Sequence, residues 1–284
     1  MRTLRTIAEV RTALKGVRRT GRSIGFVPTM GALHEGHLQL IREATQQHDE
    51  VVVSIFVNPT QFDDPADLAA YPRVETSDAE AAARAGADLL FAPAAAEMYP
   101  DGFATTVHVD GPSERLEGAS RPGHFDGVAT VVCKLLNIVG ADVAYFGQKD
   151  AQQLAVIRRM AADLNVPTEI EAVATVRDAD GLALSSRNAR LSAADRERAL
   201  ALSQALRAAT AAVADGRTAA GDVLAAARAE FAERDVEPDY VELVHPETFT
   251  PLPAVDGDAL LAVAARVGDV RLIDNQPLTP NGSH

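Results

Sequence analysis

The sequence has no tryptophan, a single cysteine (Cys133), and only 5% aromatic residues. One thiol cannot close an intrachain disulfide, nor form a CxxC redox or zinc pair. With so few rings, the core has to be built from aliphatic side chains. Basic residues are also scarce, 27 against 40 acidic ones, leaving a formal charge of -13 over 284 residues. That balance excludes broad binding to nucleic acid or to an anionic membrane, both of which reward a cationic surface. It leaves room for a local basic pocket that takes one small polyanion. There is no run of 18 apolar residues and no signal-like leader, so the expected compartment is the cytoplasm. What is present is 47% hydrophobic and 24% charged residues, the composition of a globular protein.

The apolar residues fall into short runs separated by helical patterns. Residues 24–27, 51–57, 88–91 and 142–146 read as buried strands, with a further strand at 168–173. Helices are expected near 6–19, 37–48, 74–85, 125–139 and 150–164. Continuous apolar strands alternating with helices predict a parallel α/β sheet covered on both faces. The pattern changes after about residue 175. Helices are expected over 192–214, with Ser192 as N-cap, and over 219–234, followed by β-like stretches at 240–245, 259–267 and 270–273. The expected fold is α/β: a parallel-sheet domain, residues 1–176, with a smaller C-terminal α+β domain, residues 177–284. The tail 275–284 carries no recognisable site and reads as a frayed end.

Several polar segments fall at the carboxyl ends of expected strands, where open α/β sheets bind ligands. Pro28-Thr29-Met30-Gly31-Ala32-Leu33-His34-Glu35-Gly36-His37 links a strand to a helix. A helix N-terminus offers free N–H groups to phosphate. His34 and His37, three apart, fit one face of a helical turn, and Gly36 removes a side chain between them. The structural alternative is that His34 caps the turn and His37 packs against it. A zinc site is disfavoured, since HxGH lacks the HExxH spacing, and no GxxxxGK[ST] phosphate loop occurs. Phe146-Gly147-Gln148-Lys149-Asp150 follows another strand: Gly147 allows a turn, Lys149 suits phosphate, and Asp150 suits either a ribose or a helix cap. Leu184-Ser185-Ser186-Arg187-Asn188 reads as a phosphate clamp or as a Ser turn with a surface arginine. Asn58-Pro59-Thr60-Gln61-Phe62 supplies neutral amides suited to hydroxyls and carboxylates. The acidic run Asp63, Asp64 and Asp67 lacks EF-hand spacing and reads as a helix start. Arg121-Pro122-Gly123-His124 sets a cation and an imidazole before a helix, lining the cleft or shaping its entrance.

Together, PTMGALHEGH (28–37), FVNPTQF (56–62), RPGHFDGV (121–128), FGQKDAQQ (146–153) and LSSRN (184–188) resemble the pantothenate synthetase (pantoate–β-alanine ligase) family, within the nucleotidyltransferases that carry HIGH-type and KMSKS-type signatures. The resemblance covers nearly the whole chain, and it implies that the parallel-sheet domain, residues 1–176, is a Rossmann-like nucleotide-binding domain. It implies an ATP-dependent ligase with two half-reactions in one cleft. (R)-Pantoate attacks the α-phosphorus of ATP to give pantoyl adenylate and pyrophosphate; β-alanine then displaces AMP to give (R)-pantothenate. It also implies Mg²⁺ on the nucleotide phosphates, no metal site made wholly of protein ligands, and a homodimer.

Carried over by position, the resemblance makes His34, His37, Lys149, Ser185 and Arg187 catalytic. Pro28, Met30, Gly36, Gly147, Lys149, Asp150, Ser185, Ser186 and Arg187 are implied on the ATP side. Met30, Asn58, Gln61, Arg121 and Gln153 are implied on the pantoate side. Leu184 stands where the family commonly has methionine, an apolar exchange of similar volume. Glu35 agrees with the pantothenate-forming branch rather than with tRNA-linked relatives. The runner-up is a nucleotidyltransferase acting on a small phosphorylated substrate, which needs no carboxylate pocket around Gln61 and Gln153.

Overall fold

β1 (Arg2–Leu4), β2 (Ile24–Thr29), β3 (Glu50–Ile55), β4 (Leu89–Phe91), β5 (Val143–Gly147) and β6 (Glu169–Val173) form one sheet in the order β1-β4-β3-β2-β5-β6, every pairing parallel. The computed structural model describes residues 1–63 and 65–280. Asp64, the side chain of Asp67 and residues 281–284 lie outside the described set, so the expected acidic helix start and the last part of the tail fall there in part. The chain divides into two compact units, Met1–Gln148 with Val156–Ala174, and Lys149–Ala155 with Thr175–His284.

The first unit holds the parallel sheet. Its helices are α1 (Ile7–Arg19), α2 (Glu35–Gln47), α3 (Pro65–Ala70), α4 (Glu75–Arg84), α5 (Ala95–Met98), α6 (Glu117–Ser120), α7 (His124–Val139) and most of α8 (Ala151–Asp163). Leu40, Ile41 and Ala44 of α2 and Ala82 of α4 cluster with Val27, Val51, Val53 and Leu90 of the strands. The alternating residues Phe26 and Val52 are equally buried; strand geometry turns them to the opposite face. Burial on both faces is why these strands read as unbroken apolar runs. Each such side chain contributes ~1.5–3 kcal/mol of transfer free energy. The chain steps from β2 to β3 and β4 on one side, and β5 and β6 lie on the other. The resulting switch in strand order lies between β2 and β5, and the carboxyl ends of the strands at such a point are the usual ligand position in these sheets.

In the second unit, α9 (Ala193–Ala214) and α10 (Ala220–Glu233) cover an antiparallel sheet of β7 (Pro238–Val244), β8 (Ala259–Val267) and β9 (Val270–Leu278), in the order β7-β8-β9. Ser192 caps α9 by accepting the Asp195 N–H at 3.1 Å. Fully buried Ala199, Ala205 and Ala209 of α9 and Ala227 of α10 share one core cluster with Val241, Leu261 and Val263 of the sheet. Two expectations need correction. The stretch 275–278 is no frayed end: β9 pairs with β8 as far as Leu278 opposite Ala259. β2 also continues past its apolar run through Pro28 and Thr29, which pair with Ser54 and Ile55. In both places a long apolar partner strand imposes the ladder on residues whose own propensity does not announce it. Among the described residues no helix is long and apolar enough to cross a membrane.

Candidate active site

The loop leaving β2 needs unusual backbone. Gly31 and Ala32 both have positive φ, 84° and 51°, a region that costs an L side chain about 1 kcal/mol or more. Asp78 on α4 holds this conformation. It is almost fully buried, and its Oδ2 and Oδ1 accept the N–H groups of Ala32 and Leu33, each at 2.8 Å. A Cβ on Gly31 would stand 3.0 Å from that carboxylate, so glycine is also needed for space. Thr29 adds a second tether: its Oγ1 donates to Ser54 O at 2.8 Å and accepts from Gly31 N at 3.1 Å.

This loop delivers the two histidines. His34 is the N-cap of α2, with extended backbone, and His37 is its third residue. They therefore meet as cap and first turn rather than as two residues of one helical face. Their ring centroids are 4.1 Å apart and tilted by 34°. His37 Nδ1 accepts the His34 backbone N–H at 3.3 Å; in the neutral ring the proton then sits on Nε2, which becomes a donor. Gly36 is the second residue of α2, Pro28 lies within β2, and Met30 is half-buried in the loop between them.

A second cluster fixes the short 3₁₀ turn Pro59–Gln61. Asn58 is buried at its N-cap. Its Nδ2 donates to Gln61 Oε1 at 2.9 Å and to Gly127 O at 3.1 Å, while its Oδ1 accepts from Tyr99 Oη at 2.8 Å. With its oxygen engaged, Gln61 presents its amide NH₂ as a donor. The Gln61 carbonyl accepts from His124 Nδ1 at 2.8 Å and from Arg121 at 3.3 Å. Because a carbonyl only accepts, His124 carries its proton on Nδ1, and its Nε2 takes the other Arg121 N–H at 3.3 Å. Burial, with the Arg121 charge adding to it, pushes the His124 pKa down to about 4. Arg121 further pairs with Asp63 at 3.3 Å. Arg121 and Asn58 thus grip the turn that carries Gln61. Helix α7 approaches closely at Gly127, where a Cβ would collide with Thr60 O and stand 2.7 Å from Gln61 N.

In the second unit, Lys149 and Asp150 belong to the 3₁₀ turn Gln148–Asp150, and Lys149 Nζ is 3.5 Å from Asp150 Oδ1. Gln153 is half-buried in the first turn of α8. Ser185 caps the 3₁₀ turn Ser186–Arg190, its Oγ accepting from Arg187 N at 3.2 Å. The Ser-turn reading of LSSRN is therefore real local structure, and it brings Ser185, Ser186 and Arg187 together. Gly147 ends β5 with negative φ, and a Cβ there would meet no heavy atom within 4 Å, so neither backbone freedom nor close approach demands glycine.

Sequence reasoning passed over Asp78, Tyr99, Asp274 and Asn275. Asp78 left a usable trace: it lies on the buried stripe of α4, four residues before Ala82. A carboxylate on an apolar stripe implies a specific partner. Tyr99 and the 274–275 pair have no comparable pattern.

Comparison with known proteins bears on all of these segments. The family model described as Pantoate-beta-alanine ligase matches residues 2–277. The pantothenate synthetase of Chelativorans sp. (strain BNC1) is 56% identical over 275 residues, covering 96% of each chain. The crystal structure of pantothenate synthetase from Thermus thermophilus superposes with a TM-score of 0.93 at 48% identity, over 99% of this chain and 100% of that one. The pantoate-beta-alanine ligase from Francisella tularensis, complexed with beta-gamma ATP and beta-alanine, superposes with a TM-score of 0.80 at 35% identity over 97% of each chain. Matches of this extent run through the histidine loop, the Gln61 turn, the Lys149 segment and the serine turn alike, and this chain belongs to the pantoate–β-alanine ligase family.

Proposed function

We propose that the chain condenses (R)-pantoate with β-alanine at the expense of ATP, with a division of labour among its own residues that follows from their hydrogen-bonding state. The ligase activity and the pantoyl-adenylate route come with the family. In the first step a pantoate carboxylate oxygen bonds to the α-phosphorus as the phosphorus–oxygen bond to pyrophosphate breaks. In the second, the β-alanine nitrogen bonds to the acyl carbon, the carbon–oxygen bond to AMP breaks, and the amine gives up a proton.

The observation that carries the reading is the histidine pair at the start of α2. His37, whose Nδ1 accepts the His34 backbone N–H, turns its Nε2 into a donor for a phosphate oxygen, next to the N–H groups of a helix terminus. His34 joins it on the phosphates. Gln61, its oxygen held by Asn58, offers NH₂ to the pantoate carboxylate or hydroxyl, and Gln153 is its proposed partner in that task. Asn58 and Arg121, implied as pantoate ligands by resemblance, act in this reading mainly by holding Gln61. Lys149, Ser185 and Arg187 are assigned to the ATP phosphates, with Ser186 beside them, and Asp150 to the ribose. Pro28, Met30 and Gly36 are assigned to the backbone around the nucleotide, Met30 also bordering pantoate, and Gly147 to the open strand end before Lys149. Mg²⁺ enters on the phosphate oxygens, the hard ligands it prefers; among the described residues no three His, Cys, Asp or Glu side chains converge to cage an ion. A homodimer in the cytoplasm completes the proposal.

The test is stoichiometry. With ATP, Mg²⁺, pantoate and β-alanine, the products should be pantothenate, AMP and pyrophosphate in equal amounts, with omission of either organic substrate stopping turnover. Formation of ADP, or AMP release without pantoate, sinks the reading.

A further inference from the structure

Lys149 and the serine turn at 185–187, both assigned above to the ATP phosphates, are tied to two consecutive residues of β9. Asn275 Nδ2 donates to the Lys149 carbonyl at 2.8 Å. Its neighbour Asp274 accepts both guanidinium N–H groups of Arg177, at 2.6 and 3.0 Å, and the Asn275 backbone N–H at 2.8 Å. Arg177 then donates to Gly181 O at 3.2 Å and pairs across to Ala183. The strap 176–184 is closed by Asp178 N to Leu182 O at 2.8 Å and Leu184 N to Val176 O at 3.0 Å. Asn188 Nδ2 finally donates back to Ala183 O at 2.9 Å, locking the serine turn to the strap. The network is continuous from the Lys149 backbone to the serine turn.

Its chemistry is poorly explained by stability alone. Asp274 and Asn275 are both nearly fully buried, and a buried ion pair commonly does no better than apolar side chains of the same volume. What a bidentate pair with its carboxylate buried does supply is fixed geometry. β9 needs no polar residues to complete its ladder, because β8 provides that. We propose that Asp274 and Asn275 are a positioning pair, which holds Lys149 and the serine turn in one fixed register so that both meet the phosphates of the same nucleotide. Neither residue touches substrate in this account. The inference rests on the assignment of Lys149 and residues 185–187 to ATP.

A pair that positions phosphate-binding groups matters while pyrophosphate is being displaced and matters little once it has left. The test separates the half-reactions in Asn275→Ala, in Asn275→Leu, which preserves volume, and in Lys149→Ala, with thermal unfolding followed alongside. Pantoyl adenylate formation at saturating substrates is measured by rapid quench, and conversion of purified pantoyl adenylate with β-alanine is measured separately. The expected result is an adenylation rate lower by about 10- to 100-fold in the Asn275 variants, the scale of a small misplacement of reacting groups, with the second half-reaction little changed. Wild-type adenylation in either folded Asn275 variant, or equal losses in both half-reactions, overturns the positioning role. If the alanine variant fails to fold, the leucine variant decides; failure of both to fold makes Asn275 a folding residue and also overturns the proposal. Loss confined to Lys149→Ala overturns the anchor alone, whereas wild-type adenylation in Lys149→Ala removes the phosphate assignment and the anchor with it.

Discussion

His124 donates its Nδ1 proton to the main-chain carbonyl of Gln61 across 2.8 Å, so a buried neutral imidazole sets the position of the turn that carries the amide side chain proposed to meet pantoate. His124→Phe keeps a ring in the site and removes the donor, leaving that carbonyl with Arg121. A buried group losing a hydrogen bond costs ~1–3 kcal/mol. The KM for pantoate is expected to rise about tenfold or more with the KM for ATP unchanged. Steady-state kinetics with each substrate varied checks this. Parallel changes in both KM values would mean that the fold, not the Gln61 turn, had given way.

The same histidine links stability to pH. Its folded pKa, about 4, lies below the ordinary 6.5, mainly because burial disfavours the charged ring and secondly because Arg121 repels it, against weaker pulls from Glu117 and Asp63. Between those values the unfolded chain binds a proton that the folded chain refuses. Stability from this group is therefore complete above pH 6.5 and is lost as pH falls toward about 4. The loss is on the order of 3 kcal/mol at most. Urea unfolding of wild type and His124→Phe at several pH values should show a shallower decline in the variant across that window. Identical slopes would remove His124 as the source.

Asp78→Asn tests the loop that carries the histidines. The variant is isosteric, but its NH₂ faces a backbone N–H where a carboxylate oxygen had accepted, leaving the donor at Ala32 or Leu33 unpaired. The adenylation rate is expected to fall by about 10²-fold through misplacement of His34 and His37. Binding of pantoate, measured by direct titration, should change far less. A wild-type single-turnover rate would show that the loop holds its left-handed residues without Asp78.

Gly127→Ala sets propensity against space. In an exposed helix the change is worth about 1 kcal/mol in favour of alanine. Here the new methyl meets Thr60 O and stands 2.7 Å from Gln61 N, so the turn has to move. Weaker pantoate binding with lower thermal stability is expected; an increase in melting temperature with unchanged pantoate affinity would contradict the close approach.

The sheet was legible because its strands are buried on both faces and so written as apolar runs, such as Val51, Val52 and Val53. Residues His34, Gln61 and Lys149 stood out because reactive side chains directly follow such runs. What stayed hidden is held by tertiary context. Asp274 and Asn275 carry no strand signal, and only the β8 ladder makes them strand. The hydrogen bond of Arg121 to the Gln61 carbonyl and its pairing with Asp63 are likewise tertiary contacts that the sequence does not announce. The 149–155 segment follows a first-unit strand in sequence yet groups with the second unit, which a pattern read along the chain does not reveal.

The most direct measurement is isotope exchange between labelled pyrophosphate and ATP, with β-alanine omitted and pantoate present or absent. Adenylation that is reversible and waits for pantoate gives exchange only when pantoate is supplied, and His37→Ala should abolish most of it. Exchange that proceeds equally well without pantoate, or none when both pantoate and Mg-ATP are present, would contradict a pantoyl-adenylate ligase.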